Sequence, residues 1–107
     1  MAFLDEMTEQ EVKKNKTIRG YILRSLAKGS NNTLFVKQIS NALYAENQIY
    51  NPDIGKYLEY LAEAGYIEFT GKNIHAYNVY AKDGVIKLTR KGVDLLEDTI
   101  QDPGVDV

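Results

Sequence analysis

Hydrogen-bond donors and aromatic rings are the chemistry this sequence has most to offer. Lys37, Asn51, Lys56, Tyr57 and Tyr60 come first, and Lys72, Asn73, His75 and Lys82 follow in a turn-rich stretch. Side chains of these types donate to phosphate oxygens and base edges, and the tyrosines can equally stack or make protein contacts. Covalent and metal chemistry is poorly served. The chain has one histidine and no cysteine, which removes a thiol nucleophile and any thiolate metal site. His75, set among tyrosines, builds neither a catalytic triad nor a multi-histidine metal site. Aspartates and glutamates are spread along helix surfaces, and Gly65 and Gly71 lack the spacing of a phosphate-cradling loop. The expectation is a binding protein without a cofactor, not an enzyme.

Those donors need a scaffold, and 107 residues suit a single domain with one hydrophobic core. Hydrophobic residues at 44% and charged residues at 26% are ordinary for a globular chain. The absence of cysteine fits a reducing compartment. Met1 to Gln10 carries Asp5, Glu6 and Glu9 and lacks the basic start and apolar run of a signal peptide. No apolar run approaches the length needed to span a bilayer, so a cytoplasmic protein without membrane contact is expected.

The net charge of -2 hides a segregated pattern. Lys13, Lys14, Lys16, Arg19, Arg24, Lys28 and Lys37 follow one another with no acid between them. Glu46, Asp53, Glu59, Glu63 and Glu68 then face Lys56 alone, and Lys72, Lys82, Lys87, Arg90 and Lys91 are opposed only by Asp83. Segregation of this kind marks either a basic face or ordinarily solvated helix surfaces.

Periodicity supplies the elements. Thr8 and Glu11 form a capping-box pattern, and Ile18, Ile22 and Leu26 repeat at helical spacing, so a first helix is predicted from Thr8 to Lys28, ended by Gly29-Ser30-Asn31-Asn32. Thr33-Leu34-Phe35 suits a short edge strand. Val36, Ile39 and Leu43 mark a second helix ending before Asn47. Asn51-Pro52 opens a third, with Ile54, Leu58, Leu61 and Ala62 on one face and Gly65 to terminate it. Tyr66 to Thr70 and Ile74 to Ala81 are β-prone, separated by the turn Gly71-Lys72-Asn73. Asp83-Gly84 is a hairpin pair before Val85 to Leu88. Thr89 caps a last helix carrying Val93, Leu96 and Ile100, and the tail from Asp102 is expected to be loose.

Two segments carry a family resemblance. Tyr60-Leu61-Ala62-Glu63-Ala64-Gly65-Tyr66-Ile67-Glu68 resembles the helix-to-strand junction of winged helix-turn-helix proteins. Leu88-Thr89-Arg90-Lys91-Gly92-Val93-Asp94-Leu95-Leu96-Glu97 resembles the exit from the wing into the final helix of MarR-like and PadR-like regulators and of small phage winged-helix proteins. With the third helix these segments cover about half of the chain. Gly65 lets the chain leave its helix and turn back, and Gly92 permits close packing at the start of the last one. The resemblance implies an α+β winged helix-turn-helix fold of residues 1–101 with a small antiparallel β-wing and a C-terminal helix, followed by the acidic tail.

It also implies a small bacterial or phage transcription regulator that binds double-stranded DNA. In such proteins the third helix enters the major groove and the wing follows the backbone. That places Lys37, Asn51, Lys56, Tyr57, Tyr60, Lys72, Asn73, His75 and Lys82 in the DNA contact. Glu59 and Glu63 depart from the pattern of strong DNA binders, because they would repel phosphates. A winged-helix domain turned to protein interaction through its tyrosines is the alternative. Arg19 could pair with the acidic third helix. Phe3, Leu4 and Met7 at one end, with Leu95, Leu96 and Ile100 at the other, are the expected surface of a homodimer.

Overall fold

The computed structural model describes residues 2–107, with side chains from Glu9 onward. Its elements are α1 (Ala2–Lys28), a 3-10 turn (Ser30–Asn32), β1 (Thr33–Phe35), α2 (Val36–Ala45), α3 (Gly55–Glu63), β2 (Ile67–Thr70), β3 (Val85–Leu88) and α4 (Arg90–Leu96). Four helices thus pack with one three-stranded antiparallel sheet of order β1-β3-β2. Leu34 faces Ile86 across one pairing, and Phe69 faces Ile86 across the other. Alternation sends Leu34, Ile67, Phe69, Ile86 and Leu88 to the core side and leaves Thr33, Lys87 and Glu68 on the other.

The core is built from the apolar positions that the periodicity marks. Ile18, Ile22 and Leu26 of α1, Ile39 and Leu43 of α2, and Ile54, Leu58 and Leu61 of α3 are buried together with Ile86 and Leu88 of β3. Among the described residues, no helix is long and apolar enough to cross a membrane.

The junctions around β3 explain how the last helix is set. Gly65 adopts φ +87° after α3, a left-handed exit that glycine makes without strain. Thr89 then works in both directions. Its Oγ1 accepts from the Gly92 backbone at 3.1 Å, capping α4, and donates to the Gly65 carbonyl at 2.6 Å. Lys91 donates from Nζ to the Ala64 carbonyl at 2.9 Å, satisfying a free acceptor at the C-terminal end of α3.

Several boundaries differ from the sequence reading. α1 already runs from Ala2, so Thr8 and Glu11 lie within the helix instead of capping it. Nothing between them and Ala2 is a helix breaker. α3 begins at Gly55, because Asn51 and Pro52 are engaged elsewhere. Asn51 Oδ1 accepts from the Asp53 backbone at 3.0 Å, Asp53 Oδ1 accepts from Gly55 N at 2.9 Å, and the Ser40 hydroxyl donates to the Pro52 carbonyl.

The segment 74–81 is not a strand. Both edges of β3 are occupied by β1 and β2, so the connection 71–84 has no edge of that strand to join and closes its own hydrogen bonds. Val79 N donates to the His75 carbonyl at 3.0 Å and Lys82 N to the Asn78 carbonyl at 3.0 Å. Asn78 clips the turn from both sides, accepting from His75 N and donating to the Asn73 carbonyl, each at 2.7 Å. Val79 and Ala76 are buried beneath it.

The tail is docked, not loose. Val105 is buried, Asp106 N donates to the Lys16 carbonyl at 3.1 Å, and Arg24 Nη1 donates to the Asp106 carbonyl at 3.1 Å. The backbone at Asp106 approaches α1 at Gly20, where any Cβ would collide with the Asp106 carbonyl.

Gly92 supplies a direct test of the β3–α4 junction. A Cβ there would stand 2.5 Å from both the Tyr66 carbonyl oxygen and Leu88 Cδ1, closer than nonbonded carbon tolerates. Gly92→Ala is therefore expected to destabilise the fold by about 1–3 kcal/mol, read as a lower denaturant midpoint at unchanged slope.

Candidate nucleic-acid interface

The turn between α2 and α3 brings three of the expected contact residues together. Asn51, held by its own Asx turn, and Lys56 and Tyr57, on the first turn of α3, line a recess of about 370 Å³. Gln48, Tyr50 and Asp53 complete that side, and Lys14 reaches in from α1. Tyr50 is 87% exposed, and Lys14 Nζ lies 5.4 Å from the centre of its ring, within the range of a cation–π contact. Two ammonium groups and one carboxylate thus share the recess. Asp53 Oδ1 is already engaged by Gly55 N.

Lys14 and Tyr50 carry no site signal in the sequence. Lys14 belongs to a run of helical lysines that solvation explains, and Tyr50 sits in a short turn. Only the packing of α1 beside the α2–α3 turn shows that they face the same space.

The two tyrosines of α3 are less available than the sequence suggests. Tyr57 is only 7% exposed and is part of the core, and the edge it leaves uncovered lines the recess beside Lys56, whose Nζ stands 4.9 Å from its ring centre. Its spacing from Ile54, Leu58 and Leu61 makes it a core residue. Tyr60 stays at the surface, but the Arg19 guanidinium stacks over it with 3.5 Å between the guanidinium carbon and the ring centre. Arg19 reaches α3 through this ring rather than through an acid, and its Nη1 donates to the Gly104 carbonyl at 3.0 Å. Tyr60 thereby packs against α1 and the C-terminal segment while staying 36% exposed.

The connection 71–84 carries Lys72, Asn73, His75 and Lys82 at exposed positions. Asn73 has φ 60°, and His75 Nδ1 accepts from Tyr77 N at 3.3 Å. Lys37, at the start of α2, places Nζ 5.3 Å from the ring centre of Tyr80, linking the α2 N-terminus to this connection. The connection also leans on α3. A Cβ at Gly55 would stand 2.8 Å from the Ala76 carbonyl oxygen, and the Tyr77 hydroxyl donates to the Glu59 carboxylate. That hydrogen bond, with the negative fields of Glu59, Glu63 and Asp53, holds the Tyr77 phenol above its ordinary value.

Of the expected dimer surface, Leu95 is buried in the domain's own core, and Leu96 and Ile100 are partly buried against it. The C-terminal half of that surface is therefore spent on intramolecular packing, where a short α4 must cover β3 and α1. Phe3, Leu4 and Met7 lie outside the residues whose side chains are described. No group of three or more histidine, cysteine, aspartate or glutamate side chains suited to a metal ion occurs among the described residues.

Beside Tyr60, Tyr66 and Asp102 form the clearest electrostatic pair. The Tyr66 hydroxyl donates to Asp102 Oδ2 at 2.6 Å, and Asp102 Oδ1 accepts from Gly104 N at 2.8 Å. Burial first, and then the carboxylate it serves, push the Tyr66 phenol up to about 12. The same hydrogen bond, helped by Gly104 N and by the charges of Arg19 and Lys91, holds the Asp102 carboxyl below its ordinary value.

Comparison with protein-family models, with curated proteins and with solved structures found no match.

The Tyr66–Asp102 pair gives the fold a two-sided pH dependence. Its stabilisation is complete between the ordinary carboxylate range and pH 10. It is lost on the acid side as pH falls through the depressed Asp102 value, and on the alkaline side as pH rises from 10.0 towards about 12. Tyr66→Phe should cost about 1 kcal/mol at neutral pH. The difference from the parent should shrink towards both extremes in denaturant unfolding, and a difference constant with pH would exclude the pair as its source.

Proposed function

We propose that this chain is a winged helix-turn-helix protein that binds double-stranded DNA, in the manner of a small transcription regulator. The observation that carries the reading is the recess where Lys14, Asn51 and Lys56 meet beside an exposed Tyr50. The order of elements supports it. Two helices joined by a turn, α2 and α3, are followed by a pair of antiparallel strands whose connection, 71–84, takes the place of a wing, and by a closing helix.

The contact proposed is asymmetric along α3. Its N-terminal end carries Lys56 and adjoins Asn51, which keeps Oδ1 in its own turn and offers its NH2 to an acceptor. Lys14 adds a phosphate contact from outside the helix-turn-helix. Lys37 from α2 and Lys72, Asn73, His75 and Lys82 from the wing are the further contacts proposed. The C-terminal half, with Glu59 and Glu63, is turned away from phosphate by repulsion. Tyr60, engaged by Arg19, acts as a support for α3.

A second reading rests on a different observation. Tyr77 is 59% exposed and donates to Glu59, which makes an aromatic and acidic surface across α3 and the wing. Such a surface suits a basic protein partner better than DNA.

Gel retardation of duplex DNA over a range of salt concentrations separates the two. Lys14→Glu combined with Lys56→Glu is expected to weaken retention by at least about tenfold and to reduce the magnitude of the salt slope by about 2, one for each phosphate no longer neutralised. A parent protein that retains no duplex even at low salt overturns the DNA reading.

A further inference from the structure

A second surface lies on the opposite half of α1 from the recess. Tyr21, Arg24, Ser25 and Lys28 form one face of the C-terminal half of that helix, and Gln38 and Ala42 of α2 stand across from them. Two recesses, of about 270 and 520 Å³, share Lys28, Leu34 and Gln38 and so form one continuous groove. Its far end is marked by Phe35, 47% exposed, beside Val85. The lining has two cations, Arg24 and Lys28, and no carboxylate. Arg24 gives one nitrogen to the Asp106 carbonyl, whereas Lys28 is exposed.

One stretch of this chain has the complementary chemistry. Before Lys13 the sequence carries Asp5, Glu6, Glu9 and Glu11 and no cation, together with Phe3, Leu4 and Met7. That stretch cannot enter the groove of its own chain. α1 is one helix from Ala2 to Lys28, and at 1.5 Å per residue Met7 and Lys28 lie about 32 Å apart along it. Nor do residues 9–13 of that helix enter its own core. Residues 9–13 are all exposed, and the first buried residue of α1 among those with described side chains is Ile18.

We propose that the groove receives the N-terminal stretch of α1 from a second copy of this chain. Two α1 helices run antiparallel, each placing its acidic, apolar start in the basic-rimmed groove at the other's end. The arrangement is self-complementary and closes as a two-fold dimer. Antiparallel helices also bring each helix start close to the other's end, which their dipoles favour. The dimer stands independently of DNA binding.

Sedimentation equilibrium of the full chain tests it, with circular dichroism to confirm that each variant is folded. The parent is expected to dimerise. Lys28→Glu should weaken the dimer about tenfold, because symmetry places the change at two contacts, and Glu6→Lys in the same chain should recover the loss. Phe35→Ser and Met7→Asp, one on each partner of the contact, should each weaken it as well. A parent that is monomeric up to about 0.1 mM overturns the proposal. So does a dimer unmoved by Lys28→Glu, Phe35→Ser and Met7→Asp, since it would have to form through another surface.

Discussion

Strand β3 is hydrogen-bonded along both of its edges, to β1 on one side and β2 on the other, and the remaining architecture follows from that. Residues 33–35, 67–70 and 85–88 can assemble only after distant parts of the chain have met, and Ile86 at the centre is fully buried between Leu34 and Phe69. The strand also fixes what precedes and follows it. At its start, the Gly84 carbonyl accepts from Val36 N at 2.9 Å and sets the beginning of α2. After its end, Thr89 N donates to the Tyr66 carbonyl at 2.9 Å, which places α4 against the exit from α3.

The surface of α3 is divided by its neighbours more than by its own sequence. One flank is closed by Ala76 and Tyr77 of the connection, and another by Arg19 and the C-terminal segment. Lys56 remains exposed at the start and Glu63 at the end. The electrostatic character of the helix therefore changes sign along its length. The basic end is reinforced by Lys14, and towards the acidic end the Glu59 carboxylate accepts a hydrogen bond from Tyr77.

Local patterns were legible where one residue type and its near neighbours decide the outcome. The Ile18, Ile22 and Leu26 stripe, the Thr89 cap and the exit at Gly65 are of this kind, and Gly92 lies in the close contact its position suggested. Competing local chemistry defeated other readings. Asn51 before proline is a good helix cap, yet its Oδ1 serves the turn ahead of the helix. Ile74 to Ala81 has strand composition, but the Asn78 side chain, the left-handed backbone at Asn73 and the lack of an open edge on β3 favour consecutive turns. Long-range partners were legible only coarsely. The charge pattern pointed Arg19 at the third helix but at an acid, not at Tyr60, and nothing near Tyr60 announces Gly104 or near Asp102 announces Tyr66. The same holds for the candidate site, where Asn51 and Lys56 are neighbours in sequence but Lys14 and Tyr50 join them only through tertiary packing.

The Asn78 clip has a consequence for anything that meets Lys72, His75 or Lys82. Ordering a free loop costs about 1–2 kcal/mol of backbone entropy per residue, and in the connection 71–84 that cost falls on folding instead of on association. Buried Val79 and the paired hydrogen bonds of Asn78 hold the connection in place before any encounter. A partner docking there finds its contacts already spaced, so the rate of productive encounter depends on diffusion and orientation, with no waiting time for a loop to close.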